Sequence, residues 1–211
     1  MDGGRKLRIE IFHDNFQNYK KYNIPKAQLV IADIPYNIGS DAVAEYGARY
    51  GFKNWFPIFF CKNYSAQVLK ANMRIVGATE FAVVLYREKL PKFNNGRQFD
   101  SDGKTIRGTG KMVFDWFAWE RDGKEIPKIH PTQKPVKVLK NLISIFTDPG
   151  DLVIDPCCGS GSTIRAAAEL GRNAIGFEID RNFYAAAKGE MLKEFFAERN
   201  EEENEQQMCL F

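Results

Sequence analysis

The sequence predicts an α/β fold with a mostly parallel sheet and helices on both faces. Short apolar runs of strand length alternate with segments of helical periodicity, and this alternation is typical of parallel sheets. The runs that predict buried strands are Leu7–Phe12, Leu29–Ile34, Phe56–Cys61, Phe81–Tyr86, Leu152–Asp155 and Ala174–Phe177. A glycine turn and acidic residues follow some of these runs, where parallel sheets bind ligands.

Three segments predict helices. Residues 135–146 carry apolar side chains at helical spacing, and the alanine-rich segment Thr163–Leu170 stops at Gly171, which suits a C′ position. The third helix is expected to run from Asn182 to Arg199 and to continue into an acidic tail.

Composition excludes several classes of protein. The 211 residues are 44% hydrophobic and 27% charged, which argues against collagen, low-complexity disorder and coiled coil. No apolar run approaches the roughly 18–20 residues of a membrane helix, and no secretory signal follows Met1. Four cysteines without a CxxC pair and two distant histidines do not make a zinc site. We therefore expect a cytoplasmic protein without a metal.

The net charge of +3 is unevenly distributed. The segment from Glu190 to the end has seven acids and two bases, so the remainder carries 28 bases against 20 acids. A basic body suits a polyanion such as nucleic acid. A solvated surface with an acidic helical tail explains the charge alone at least as well.

The segment Lys89–Lys128 differs from the rest of the chain. It is rich in Asn-Gly and Asp-Gly turns and shows little periodicity, so it predicts a loop-rich insertion. Aromatic residues at 116, 117 and 119 follow a basic stretch, a combination that favours nucleic acid contact. The aromatics also have a simpler explanation, as anchors of the insertion. The basic stretch runs from Arg87 to Lys111, and its bases are Arg87, Lys89, Lys92, Arg97, Lys104, Arg107 and Lys111.

The first motif is a strand that enters a Gly-x-Gly turn and then a helix, over Val153–Thr163. Glycine allows close backbone approach to a ligand, and the helix N-terminus favours negative charge. Glu178 ends the next strand, where a carboxylate can accept hydrogen bonds from both ribose hydroxyls. The third glycine of a dinucleotide motif is replaced by Ile164, although NAD remains a competing ligand.

Two further motifs carry polar groups. The strand Leu29–Ile34 delivers Asp33, and then Pro35 and Tyr36, at its carboxyl end. An acid, a main-chain carbonyl and a stacking ring suit a flat substrate with an amino group, and an Asx turn with a packed tyrosine is the alternative. The segment His130–Pro135 reads His-Pro-Thr-Gln-Lys-Pro, which by itself fits a helix-entry turn with proline at N1.

Together, these three motifs and their order resemble the β group of amino-methylating DNA methyltransferases, over roughly Ile11 to Ala187. The resemblance implies a Rossmann-like, S-adenosylmethionine-dependent methyltransferase fold with a circularly permuted motif order. It implies methyl transfer from S-adenosylmethionine to the exocyclic amino group of a flipped base, with Asp33 favouring adenine N6. DNA is the implied partner, and a homodimer is one assembly to test.

The resemblance also assigns roles. The catalytic residues would be Asp33, Ile34, Pro35 and Tyr36. The cofactor-binding residues would be Asp155, Cys157, Gly159, Ser160, Gly161, Thr163, Glu178, His130, Thr132, Lys134 and Asp14. Ile34 replaces a proline, a change that a role for its main-chain carbonyl tolerates. Pro156-Cys157 is similar to the Pro-Cys nucleophile of cytosine-C5 methyltransferases, but this cysteine lies in the glycine turn and amino methylation needs no thiol.

Other functions compete with this interpretation. An RNA or protein amide N-methyltransferase can share the catalytic loop, although the His-Pro-Thr-Gln-Lys-Pro segment and the motif order argue against it. An NAD-dependent oxidoreductase is disfavoured by Ile164 and by the lack of a hydride-transfer acid. A non-catalytic DNA-binding relative is disfavoured by the intact Asp33 and Tyr36.

The motifs divide the chain into a catalytic half (1–87), a target-recognition insertion (88–129), a cofactor-binding half (130–189) and an acidic tail (190–211). The family's strand order, 3-2-1-4-5-7-6, places Phe56–Cys61 as strand 6 and Phe81–Tyr86 as strand 7. Only residues 37–55 then remain for strand 5 and its helix. We therefore predict that a segment is missing between Ser40 and Ala44, which Cα–Cα distances of about 3.8 Å throughout would refute.

Overall fold

The computed structural model describes residues 6–33, 47–64, 75 and 77–197. The chain divides into two compact units, one of Met1–Asp33 with Asp122–Phe211 and the other of Ile34–Arg121. This division is based on packing within the chain. The four segments predicted in the sequence analysis were defined by their motifs instead, and they stay predictions. The segment between Ser40 and Ala44 lies outside the described residues.

The described strands form one sheet in each unit. In chain order they are β1 (Ile9–Phe12), β2 (Leu29–Val30), β3 (Asn54–Lys62), β4 (Thr79–Tyr86), β5 (Trp116–Trp119), β6 (Leu152–Asp155) and β7 (Asn173–Phe177). The first unit contains the helices α1 (Val136–Phe146), α2 (Ser162–Glu169) and α3 (Arg181–Ala186); a 3-10 helix, Phe16–Tyr22, and helical residues 193–197 also belong to this unit.

The first unit contains a four-stranded sheet in the order β1-β7-β6-β2, with every pair parallel. This arrangement confirms the predicted α/β class and the predicted order 3-2-1-4. All four residues of β6 are buried, as expected for a central strand covered on both faces. Strand β2 is shorter than predicted, but the Ile31 amide still donates to the Ile154 carbonyl, so the chain follows β6 towards Asp33.

Helix α1 confirms the predicted periodicity, since its apolar face is buried at Val138, Leu139, Leu142 and Ile143. The predicted position of the proline is off by one residue, because Pro135 is the N-cap and not N1. Proline has no side-chain acceptor to cap the helix. The carboxylate of Asp122 accepts the Val136 amide at 2.9 Å instead.

Helix α2 ends where predicted, with Gly171 at a φ of +74°. The helix predicted over Asn182–Arg199 is present over most of the described residues but is not continuous. After α3 the chain forms a π-helical turn, Ala187–Met191, bends at Leu192 and is helical again over residues 193–197. That turn allows Ala187, Met191 and Leu192 to be fully buried in the core. None of the helices in the described ranges is long and apolar enough to cross a membrane.

In the second unit, β3 lies between β4, which is antiparallel to it, and β5, which is parallel to it. The loop-rich prediction for 89–128 therefore missed β5, whose Trp-Phe-Ala-Trp sequence has high strand propensity. The pairing of β3 with β4 agrees with the assignment of Phe56–Cys61 and Phe81–Tyr86 to the neighbouring strands 6 and 7, and the second partner of β3, β5, comes from the predicted insertion. The prediction of a missing segment falls on residues outside those that the structure describes, and it stays a prediction.

Candidate active site

Acidic residues stand at the carboxyl ends of all four parallel strands of the first unit. Asp14 follows β1, Asp33 follows β2, Asp155 ends β6 and Glu178 follows β7. Since parallel strands end at the same edge of a sheet, these carboxylates line one edge. We call this set of four the acidic edge.

The glycine turn between β6 and α2 is tightly held. Gly159 and Gly161 adopt φ values of +49° and +80°, in the left-handed region that favours glycine. A Cβ on Gly161 would lie 3.3 Å from the Cβ of Ala187. The Gly161 amide donates to the Cys158 carbonyl, and Cys158 in turn donates to Phe177. The turn therefore brings bare backbone to the edge of the sheet, as predicted from the motif.

The carboxylate of Glu178 ties the turn to the end of β7. Its Oε2 accepts the Gly159 amide at 2.9 Å, and its Oε1 accepts the Asp180 amide at 2.7 Å. Each carboxylate oxygen has two acceptor sites, so both retain capacity for a further donor. Glu178 is buried, with 9% of its surface exposed.

Asp155 is the most deeply buried acid of the acidic edge. Burial raises its pKa to about 6, although hydrogen bonds from the Thr163 side chain and the Cys157 amide oppose the rise. Through these two hydrogen bonds, Asp155 holds the glycine turn from its buried side. Ser160 and Ser162 are also buried, with their hydroxyl oxygens 2.9 Å apart.

The two cysteines of the turn are poor nucleophiles. The atoms packed around the sulfur of Cys157 raise the pKa of its thiol to about 11, and the Asp155 carboxylate adds to the rise. Burial raises the pKa of Cys158 as well. Cys157 is partly open to solvent, yet its thiol is protonated at neutral pH, which supports the rejection of a Pro-Cys nucleophile.

Asp33 and the His130–Pro135 segment meet at the acidic edge. The Lys134 ammonium lies 2.9 Å from Asp33 Oδ2, and the Asp33 carbonyl accepts a long hydrogen bond from the Cys157 thiol, at 3.6 Å. Two of the three predicted motifs thus contact Asp33. The other predicted catalytic residues, Ile34, Pro35 and Tyr36, lie outside the described residues.

The remaining polar residues of the His130–Pro135 segment bond largely to their own loop. His130 Nδ1 lies 3.0 Å from the Thr132 hydroxyl, and the His130 ring packs against Phe183. The Gln133 side chain donates to the Pro127 carbonyl and accepts the Ile129 amide. These bonds shape the loop that carries Lys134.

Asp14 is held by its own neighbourhood. Its carboxylate accepts hydrogen bonds from the Tyr22 hydroxyl at 2.6 Å and the Asn18 amide at 2.7 Å. These bonds, with that of Tyr22 the strongest, lower its pKa to about 2. The same bond raises the pKa of Tyr22.

A cavity of about 190 Å³ opens beside Glu178 at the ends of β1, β6 and β7. Cys157 and Glu178 on its wall were predicted from the sequence, whereas Phe16 and Ile179 were not. Ile179 directly follows the acid at the end of β7 and is 69% exposed. An apolar residue directly after that acid was the sequence signal that could have identified the wall. The lining residues are Asn15, Phe16, Pro156, Cys157, Phe177, Glu178 and Ile179.

In the second unit, residues 95–111 form an exposed hairpin, which we call the basic hairpin. Its tip is a three-residue loop closed by the Asp100 amide on the Lys104 carbonyl, with Gly103 at a φ of +75°. Phe99 pairs with Thr105, and Asn95 bonds to Lys111 through backbone and side chain. The hairpin carries the predicted DNA-contacting bases at 97, 104, 107 and 111.

Comparisons with known proteins agree with the resemblance. The DNA methylase family, with N6 and N4 methyltransferases in its name, matches residues 49–189. Type II methyltransferase M.EcaI of Enterobacter cloacae is 49% identical over 57 residues, which are 27% of this chain and 12% of that protein. The chain spans a third or less of the length of the curated relatives it matches.

Two solved structures extend the similarity to most of the chain. The M1.HpyAVI–SAM complex is 25% identical with a TM-score of 0.63, and the match covers 85% of this chain and 97% of that one. The cytosine-N4-specific PvuII DNA methyltransferase is 14% identical with a TM-score of 0.62, and the match covers 87% and 88%. The second match shows the fold alone.

Proposed function

The chain belongs to the DNA methylase family of N6 and N4 methyltransferases, and from this premise we propose that it methylates adenine N6 in DNA. The donor is S-adenosylmethionine, and the methyl group goes to the amino group of a base flipped out of the duplex. The observation that carries the proposal is the convergence of Asp33, Lys134 and the glycine turn at one sheet edge.

The acidic edge fits the proposed cofactor. The free acceptor sites of Glu178 suit two ribose hydroxyls, and Phe16 and Ile179 offer apolar walls for a purine ring. Gly159 is half-buried and has no side chain, so a ligand can approach the backbone of the glycine turn closely. When bound, S-adenosylmethionine supplies a methyl group on a sulfonium centre. The solved complex of M1.HpyAVI with SAM supports this choice of ligand.

Asp33 acts on the acceptor base. An amino nitrogen conjugated to its ring is a poor nucleophile, and a hydrogen bond from that group to the Asp33 carboxylate favours a more pyramidal nitrogen. The Ile34 carbonyl takes the second amino hydrogen and Tyr36 stacks on the base, as the resemblance implies. Flipping costs a few kcal/mol, which this stacking partly offsets. Positioning and electrostatics provide most of the acceleration.

Adenine is preferred over cytosine because Asp33, and not serine, occupies the first position of the catalytic motif. Cytosine N4 is the second candidate target. It is supported by the matching family, which includes N4 as well as N6 methyltransferases.

The basic hairpin is the proposed DNA-contacting surface. Four of its residues are cationic, and Asp100 is engaged by the amides of Asp102 and Lys104 within the tip. Phe99 and Ile106 are 59% and 41% exposed beside these charges. Cations neutralise phosphates while apolar side chains contact bases or sugars, so this combination suits a duplex.

The test is transfer of a radiolabelled methyl group from S-adenosylmethionine to duplex DNA, RNA and protein in parallel reactions. The proposal predicts labelling of DNA alone. Labelling of RNA or protein in place of DNA would instead support the amide or RNA methyltransferase interpretation. Cofactor binding without any transfer would support a non-catalytic relative.

A further inference from the structure

The ion pair between Lys134 and Asp33 assigns the lysine a role that the resemblance does not give it. We infer that Lys134 is a positioning residue for Asp33, and this inference rests on the proposed function. The Lys134 ammonium holds Oδ2 at 2.9 Å, which leaves Oδ1 as the oxygen that accepts the amino hydrogen of the target base. The resemblance places Lys134 at the cofactor, whereas the structure directs its charge to the catalytic acid.

The backbone around Lys134 is fixed on both sides. Before it, the Gln133 side chain bonds to Pro127 and Ile129. After it, Pro135 is buried with a φ of −62° and begins α1. The ammonium therefore extends from a rigid base, and its reach to Asp33 is defined by the loop.

The backbone of Asp33 is also held, but its side chain is not enclosed. The Ile31 amide bonds to β6, and the Asp33 carbonyl accepts from Cys157. The Asp33 side chain is 45% exposed, so packing leaves its carboxylate free to rotate. A charge-assisted hydrogen bond from Lys134 restricts that rotation.

The pair is too exposed to matter much for stability. The Lys134 side chain is 23% exposed and that of Asp33 45%, and ion pairs open to solvent contribute about 0–1 kcal/mol. Loss of the lysine should therefore appear in turnover and not in the melting temperature. This separation distinguishes a positioning role from a structural one.

The experiment compares Lys134→Met and Lys134→Arg with the control Lys140→Met. Lys140 pairs with Glu169 at the same 2.9 Å and lies on α1, so the control removes an equivalent ion pair elsewhere in the unit. The measurements are kcat on duplex DNA, the Kd of S-adenosylmethionine and the melting temperature.

For Lys134→Met we expect kcat to fall about 100-fold, the typical cost of misplacing a reacting group. Cofactor affinity and melting temperature should match wild type. Lys134→Arg should recover most of the turnover, because arginine also donates to a carboxylate, and Lys140→Met should behave as wild type. Unchanged kcat in Lys134→Met, or weaker cofactor binding with full turnover at saturation, would overturn the inference.

A second measurement separates this inference from the proposed function. A wild-type chain that methylates no DNA contradicts the proposed function, and the pair is then tested by labelling of Lys134 with acetic anhydride. An ammonium engaged by Asp33 reacts slowly, so labelling should be several-fold faster in Asp33→Asn. Equal labelling rates in the two chains would contradict the pair itself.

Discussion

The acidic edge and the basic hairpin are built in opposite ways. Asp33 is joined to Lys134, 101 residues away in sequence, and Gly159 is joined to Glu178 across a strand and a helix. The described backbone bonds that brace the hairpin instead stay within residues 95–111, most of which are exposed. Fixed geometry for chemistry thus comes from the parallel sheet. The hairpin is braced by bonds among its own residues, which suits its proposed role as a DNA-contacting surface.

The largest expected effect is on the chemical step at the acidic edge. Asp33→Ala removes the acceptor for the amino group, so methyl transfer should fall by at least about 1000-fold. The affinity for S-adenosylmethionine should persist, because the glycine turn and Glu178 are untouched. Radiolabel transfer and calorimetric titration measure the two quantities. A variant that keeps a tenth or more of wild-type turnover would break the assignment of Asp33.

The second prediction concerns the buried acid of the same edge. Burial raises the pKa of Asp155 to about 6, so the folded chain holds a proton that the unfolded chain releases near pH 4. Folding therefore loses stability as the pH rises from about 4 to about 6. Asp155→Asn keeps an acceptor without the charge, and should be more stable at pH 7 by up to about 3 kcal/mol.

Urea unfolding of the wild type and Asp155→Asn at pH 2, 3, 4, 5, 6 and 7 tests this prediction. Asp14→Asn provides a control of opposite sign. Its carboxyl has a pKa lowered to about 2, so its stabilising contribution is present above pH 4 and is lost as the pH falls towards 2. Identical pH profiles for the wild type and Asp155→Asn would contradict the burial argument.

The third prediction concerns the contribution of the glycine turn to cofactor binding. Gly161→Ala and Gly171→Ala both place a Cβ at a φ near +75° to +80°, at a cost of about 1–3 kcal/mol. At Gly161 the new carbon also meets Ala187, whereas nothing lies within 4 Å at Gly171. Cofactor affinity should fall about tenfold in Gly161→Ala only. Equal losses in the two variants would mean that the turn is not part of the cofactor site.

The smallest expected effect is at the basic hairpin. Arg97→Ala with Arg107→Ala should weaken binding to duplex DNA about fivefold and reduce the salt slope by about 2, since each phosphate contact contributes about 0.9. Cofactor binding should not change. Lys137→Ala with Lys140→Ala removes the same charge from α1 as a control. Equal loss in both double variants would assign DNA binding to general charge and not to the hairpin.

Local patterns predicted the elements that surround the site. The apolar runs located β1, β6 and β7, and the helical periodicity located α1, because burial on one or both faces leaves a signal within a short window. The alanine-rich segment located α2. The glycine turn and Gly171 were also predictable. At such positions only glycine adopts a positive φ without strain.

Features that depend on distant partners were not predictable. The Lys134–Asp33 pair joins two separate motifs, and the cap of α1 comes from Asp122, outside the helix. The break after α3 follows from the burial of Leu192 in the core, which no local periodicity encodes. Strand β5 was missed because its aromatic sequence suits a strand and a binding surface equally.

Nucleoside mass spectrometry shows whether the acidic edge methylates a DNA amino group. Unmethylated duplex DNA is incubated with the chain and S-adenosylmethionine, digested to nucleosides and compared with a reaction of Asp33→Ala. We predict N6-methyldeoxyadenosine from the wild type and none from the variant. N4-methyldeoxycytidine in its place would correct the base, and the absence of any methylated nucleoside would contradict the account.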